Sequence, residues 1–152
     1  MEDLVRWLNT QLDIDAEKAR AACEYASPDW HLDEDGETVL WWPPEPHIAE
    51  KEREKGLPVV SDRWRGETVG ARIAPHIAEH DPARVLREID AKRRLLAEWK
   101  LANAEAKYPD FMGGYSSGLD YAVQLAAAEY ADRPGYDPEW APRSQWGPPE
   151  QP

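Results

Sequence analysis

The sequence predicts a mainly helical α+β domain, and three observations carry that expectation. Apolar residues recur at helical spacing over four stretches, a polar turn at Asp33 to Gly36 separates two short β-prone segments, and prolines crowd the end of the chain. The first stretch runs from Asp3 to Ala26, with Leu4, Leu8, Leu12, Ala19, Cys23 and Ala26 on one face and Trp7 and Ala22 beside them. That is an amphipathic helix, stopped at Ser27-Pro28 because proline cannot donate to the helix ladder and biases the residue before it out of helical geometry. Cys23 falls on its buried side as a small hydrophobe. Trp30-His31-Leu32 and Thr38-Val39-Leu40-Trp41 then flank Asp33-Glu34-Asp35-Gly36, which reads as an antiparallel β-hairpin with glycine where positive φ is needed.

Trp42-Pro43-Pro44 closes the second strand, Pro46 through Lys55 reads as a short exposed helix ended by Gly56, and Val59-Val60 adds a third short strand. Glu67 to His80 has helical spacing through Val69, Ile73 and Ile77, with Pro75 implying a kink or a late start. Asp81-Pro82 is a helix start, aspartate as N-cap and proline at the first helical position. From it a helix of about 25 residues runs through Val85, Leu86, Ile89, Leu96 and Trp99 toward Lys107, long enough to be the spine of the fold. Tyr108-Pro109 ends the spine, Gly113 to Gly118 reads as a flexible loop, and Leu119, Ala122, Val123, Ala126 and Tyr130 mark a final helix. After Ala131 come six prolines and almost no aliphatic residue. The expected organisation is therefore one domain over 1–131 and an extended or disordered tail over 132–152, docked at most by Tyr136 and Trp140.

Composition narrows the functions available. The chain has 152 residues, 41% of them hydrophobic, and carries a formal charge of −12. Residues 1–62 hold 16 acidic and 6 basic side chains, and so most of that charge. Nonspecific binding to a phosphate backbone needs the opposite sign. The one basic strip, Arg84, Arg87, Lys92, Arg93, Arg94 and Lys100, is interleaved with Glu88, Asp90 and Glu98 at four-residue spacing, as a salt-bridged helix face would be. No apolar run approaches the ~20 residues of a membrane span, and Met1-Glu2-Asp3-Leu4 is unlike a secretory start, so the expected location is the cytoplasm. A single cysteine supports neither an internal disulfide nor a thiolate zinc site.

Few residues suggest chemistry. His76-Ile77-Ala78-Glu79-His80 fits the pattern H-x-x-E-H, in which two histidines one helical turn apart bind zinc and the glutamate activates water. Pro75 on one side and Asp81-Pro82 on the other place His80 at a helix end rather than one turn above His76, and no spacing singles out a third ligand among His31, Glu88, Glu98 and Glu105. The acidic turn at 33–36 does not fit a calcium loop, because the register would put His31 and Trp42 at its first and twelfth positions. No nucleophile elbow, dinucleotide fingerprint or phosphate loop is present. Eight tryptophans against one phenylalanine are the unusual feature, and Trp42, Trp64 and Trp146 fall beside prolines or in polar segments where a partner could cover them.

The run His76 to Arg94, HIAEHDPARVLREIDAKRR, resembles the signature of a family of small actinobacterial and actinophage proteins, domain-of-unknown-function family 6221. Leu125 through Trp140 resembles that family's closing motif, and Asp3-Leu4-Val5 with Leu12-Asp13 its first helix. The resemblance implies no activity, cofactor or catalytic residue. It does imply that residues matching His76, His80, Asp81 and Pro82 belong to the family pattern, in which arginine commonly stands where this chain has Glu79; a water-activating glutamate should not be replaceable by a cation. Residues 43–66 and 108–118 depart most from the pattern and look like inserted loops. The functional expectation is a non-enzymatic interaction protein, phage-encoded or actinobacterial, that binds a basic protein through its acidic first half and Trp42, Trp64 and Trp146. The alternative is a metal-binding protein or zinc hydrolase using His76, Glu79 and His80. Monomer and dimer are equally compatible with the sequence.

Overall fold

A computed structural model describes residues 1–23, 27–34, 36–41, 57–61, 67–104 and 109–142. Its elements are α1 (Glu2–Ala22), β1 (Trp30–Leu32), β2 (Thr38–Trp41), β3 (Leu57–Ser61), α2 (Glu67–Glu79), α3 (Pro82–Ala104), α4 (Pro109–Ala128) and a 3₁₀ turn at Pro138–Trp140. This is the mainly helical α+β architecture expected. The chain divides into two compact units, Met1–Asp13 with Asp90–Pro152, and Ile14–Ile89. Helices α1 and α3 each contribute part of their length to both.

In the first of these units α1 buries Leu4, Val5, Leu8 and Leu12, which repeat at the spacing of one helix face. Leu96, Trp99 and Ala102 of α3 and Val123, Ala126 and Ala127 of α4 supply the rest of the core, together with Tyr130. Each fully buried leucine contributes on the order of 1.5–3 kcal/mol of transfer free energy. Polar links then fix the helices in register. Trp99 donates its indole N–H to Asp120 at 2.6 Å, Ser116 bonds Asn103 at 3.2 Å, and Arg93 pairs with Asp13 at 2.5 Å. Lys92 is bound by Glu129 and Tyr130.

The structure corrects the boundaries around α4. The expected loop over Gly113 to Gly118 is helical, because α4 begins ten residues earlier than Leu119, at Pro109. Glycine in a helix interior costs up to about 1 kcal/mol relative to alanine, but Pro109 provides a favourable first helical position. The bonds of Ser116 to Asn103 and Asp120 to Trp99 hold the same segment against α3. Tertiary contacts thus outweigh local propensity. Helix α1 likewise ends at Ala22 rather than Ala26, with Cys23 in the turn that follows and residues 24–26 outside the described residues. The expected helix over Pro46 to Lys55 also lies outside them.

After α4 the chain turns back onto α1. Trp7 donates its indole N–H to the carbonyl of Pro134 at 3.2 Å and meets the rings of Tyr136 and Trp140 at 5.5 and 5.6 Å. Gly135 has φ of +85°, and a Cβ there would lie 3.1 Å from Trp7 Nε1, so both conformation and space require glycine. Asp137 caps the 3₁₀ turn by accepting the N–H of Glu139 at 2.9 Å. Residues 143–152 lie outside the description.

The other unit is built on a three-stranded antiparallel sheet of order β1-β2-β3. Val39 pairs with both Leu32 and Val60, and Thr38, Val39 and Leu40 of the central strand are buried. The hairpin forms at the expected turn, with Gly36 at φ of +69° and the N–H of Asp33 donating to the carbonyl of Thr38 at 2.8 Å. Asp33 also accepts the N–H of Glu34 at 2.8 Å, so its carboxylate is used within the turn. Leu40 pairs with Pro58 and Val39 with Val60, which leaves Val59 as a bulge on an edge strand, where proline is tolerated. Helix α2 packs against all three strands, burying Ala74, and contains Pro75, whose missing N–H leaves one carbonyl of the ladder without its donor.

Candidate functional site

The residues that sequence reasoning singled out for chemistry lie where α2 ends and α3 begins. Helix α2 stops at Glu79 and α3 starts at Pro82, leaving His80 and Asp81 as the corner. Asp81 is buried and is the N-cap: its Oδ1 accepts the N–H of Arg84 at 2.6 Å. Its Oδ2 accepts the N–H of Trp30 at 3.4 Å, and Ala83 donates to the carbonyl of Pro28 at 3.1 Å. One carboxylate thereby caps a helix and ties it to β1. The second role had no signal in the sequence, since 51 residues separate the partners.

His76 and His80 are brought together, against the expectation from Pro75 and Asp81-Pro82, because the backbone N–H of His80 still closes a helical turn onto His76. Their ring centroids are 4.1 Å apart with the planes inclined by 44°, and both side chains are exposed. His80 Nδ1 lies 2.8 Å from the carbonyl oxygen of His76. A carbonyl can only accept, so this nitrogen carries the proton and Nε2 keeps its lone pair when the ring is neutral. The backbone N–H of His80 is shared between the carbonyls of His76 and Ile77, both at 3.2 Å, as in a closing helical turn. Glu79 is exposed beside them, its carbonyl accepting from Arg84 at 3.1 Å. Among the described residues no third histidine, cysteine, aspartate or glutamate joins the pair to form a three-ligand set.

His80 also borders an open cleft of about 350 Å³, lined by Asp15, Lys18, Ala19, Trp30, His80, Pro82 and Val85. Its walls are mainly apolar, with Lys18 and Asp15 paired at 3.8 Å. Cys23, in the same unit, is no activated nucleophile. Burial, and then the negative charges of Asp29 and Asp81, push its thiol above the ordinary range, and its Sγ donates to the carbonyl of Ala19.

Two of the ion pairs expected along α3 form, Arg84 with Glu88 at 2.8 Å and Arg94 with Asp90 at 2.7 Å. Lys92 turns to Glu129 rather than Glu88, and Arg93 turns to Asp13, so two cations of the basic strip are engaged off the helix. Trp42, Trp64 and Trp146, expected to meet a partner, lie outside the described residues. Among the described residues no helix is long and apolar enough to cross a membrane.

The model of the Family of unknown function (DUF6221) matches residues 1–142. No curated protein and no solved structure matches the chain.

Proposed function

The chain belongs to the DUF6221 family, which carries no assigned activity, and from its own chemistry we propose that it is a non-enzymatic protein-binding module of actinobacteria and their phages. It acts in the cytoplasm, where its acidic first half recruits a basic host or defence protein. The observation that carries this reading is the charge of residues 1–62, 16 acidic against 6 basic side chains within a chain of net −12. A field of one sign raises the encounter rate with a partner of the other sign and disfavours nucleic acid. The chemistry near His80 supports the same reading: the cysteine is unactivated and the buried aspartate is consumed in capping. Trp42, Trp64 and Trp146 supply the apolar anchors that a charged rim needs around it.

The test is affinity capture with the tagged chain from an actinobacterial lysate, beside a variant in which the carboxylates of residues 1–62 are changed to amides. The expected result is one stoichiometric partner of basic composition, lost from the variant and weakened as salt is raised through the physiological range. Retention of that partner by the neutralised variant, or binding insensitive to salt, would overturn the electrostatic reading. Trp→Ala changes at 42, 64 and 146 should slow association little and speed dissociation.

A further inference from the structure

We propose that His76 and His80 form a two-imidazole site for a late first-row divalent cation, of the zinc or nickel class, completed by water. Three observations lead there. The rings stand one helical turn apart with centroids at 4.1 Å, so two nitrogens can reach a common ion at the ~2.0–2.1 Å of a metal–imidazole bond with small rotations of exposed side chains. The His80 Nδ1–H is already bound to the carbonyl of His76, which is the outer hydrogen bond that orients a ligating histidine and leaves Nε2 as the donor atom. The pair closes α2, and the negative pole of the helix dipole at that end favours a cation.

The donor set defines what the site takes. Two neutral nitrogens without a carboxylate or thiolate suit imidazole-preferring cations and not calcium or magnesium, which require oxygen. Among the described residues no third protein ligand joins the pair, and in this proposal water fills the remaining positions. That leaves an exposed, exchangeable site whose apolar neighbour, the cleft walled by Trp30, Pro82 and Val85, is reached through His80.

The experiment is calorimetric titration of the full, untagged chain with Ni²⁺ and with Zn²⁺ in a non-coordinating buffer, together with ¹⁵N-detected imidazole spectra of the metal-free protein. One equivalent should bind. His76→Ala and His80→Ala should each weaken it by roughly ten-fold or more, the scale on which losing a ligand or its orienting bond acts. The pair His31→Ala and His47→Ala should leave it within about two-fold, and Glu79→Gln likewise, because that carboxylate is not a ligand in this proposal. Before metal is added, His80 should be protonated at Nδ1, and the added ion should shift Nε2. Absence of saturable binding, binding retained in the double variant at 76 and 80, or a His80 ring protonated at Nε2 would each overturn the proposal. The tautomer readout is taken on the unmutated chain, so it stands even where an alanine variant fails to fold.

Discussion

Replacing Asp81 tests whether one carboxylate joins the start of α3 to the hairpin. In Asp81→Ala the N-cap bond to Arg84 is lost, which costs about 1 kcal/mol. The longer bond to the N–H of Trp30 is lost with it, a further ~0.5–1 kcal/mol. Removing a negative charge from a helix N-terminus costs about 0.3–1 kcal/mol more. The expected destabilisation is therefore about 2–3 kcal/mol, which for a chain of this size is roughly 4–12 °C in Tm. Asp81→Asn and Asp81→Ser separate the contributions. Each keeps an oxygen for the cap, but the amide side of asparagine faces the Trp30 N–H and serine is too short to reach it, so both should fall between alanine and the native residue. Urea unfolding followed by far-UV circular dichroism gives the differences. An alanine variant within about 0.5 kcal/mol of the native chain, or an asparagine variant as unstable as alanine, would refute the account.

Two further outcomes follow from particular contacts. Gly114 and Gly118 lie inside α4 with open space at the Cβ position, so Gly114→Ala and Gly118→Ala should each stabilise by about 0.5–1 kcal/mol in the same unfolding assay, and destabilisation would contradict the helical assignment there. Lys92 is pulled down by burial, but its bonds and charge interactions with Glu129 and Tyr130 outweigh this and hold its pKa above the ordinary lysine value. A raised folded pKa contributes stability that is complete below the unfolded lysine pKa and is lost as pH rises through the folded one. Stability should accordingly fall in the alkaline range above about pH 10, and Lys92→Met should flatten that fall; an unchanged slope between pH 9 and 11 in the variant would remove Lys92 as its source.

What the sequence displayed was whatever depends on neighbours within about four residues. Gly36 marked the hairpin, and its φ of +69° is the conformation that glycine was needed for. Asp81-Pro82 marked the start of α3, and the cap bond to Arg84 is the physical content of that signal. The position of His80 at the end of its helix was legible too, but the flanking prolines argued against its ring standing over that of His76, and there the structure differs. The parts that were not legible depend on partners far along the chain. Residues 109–118 read as a loop because their glycines weigh against helix, while the bonds that favour helix come from Asn103 and Trp99. Lys92 was expected to pair along its own helix with Glu88, yet Glu129 and Tyr130 claim it from 37 and 38 residues away. Trp7 and Pro134 are separated by 127 residues, and although Tyr136 and Trp140 were read as the residues that could dock the tail, nothing local named Trp7 as what they meet.

The two proposals draw on different physics, and ionic strength separates them. A basic protein held by the carboxylates of residues 1–62 binds through exposed charges, whose attraction is cut within a Debye length of about 8 Å at physiological salt. A divalent ion held by His76 and His80 binds through coordinate bonds to neutral nitrogens, and no ion pair is broken or screened when salt is added. Long-range attraction by the −12 chain would speed the cation's arrival, but the contact itself does not depend on it. Between 50 mM and 300 mM chloride, partner binding should therefore weaken steeply while metal affinity changes little. If both decline together, the cation is being held by the carboxylates and not by the imidazoles. If neither declines, the recruitment is not electrostatic, and burial of tryptophan is left as the contact that holds the partner.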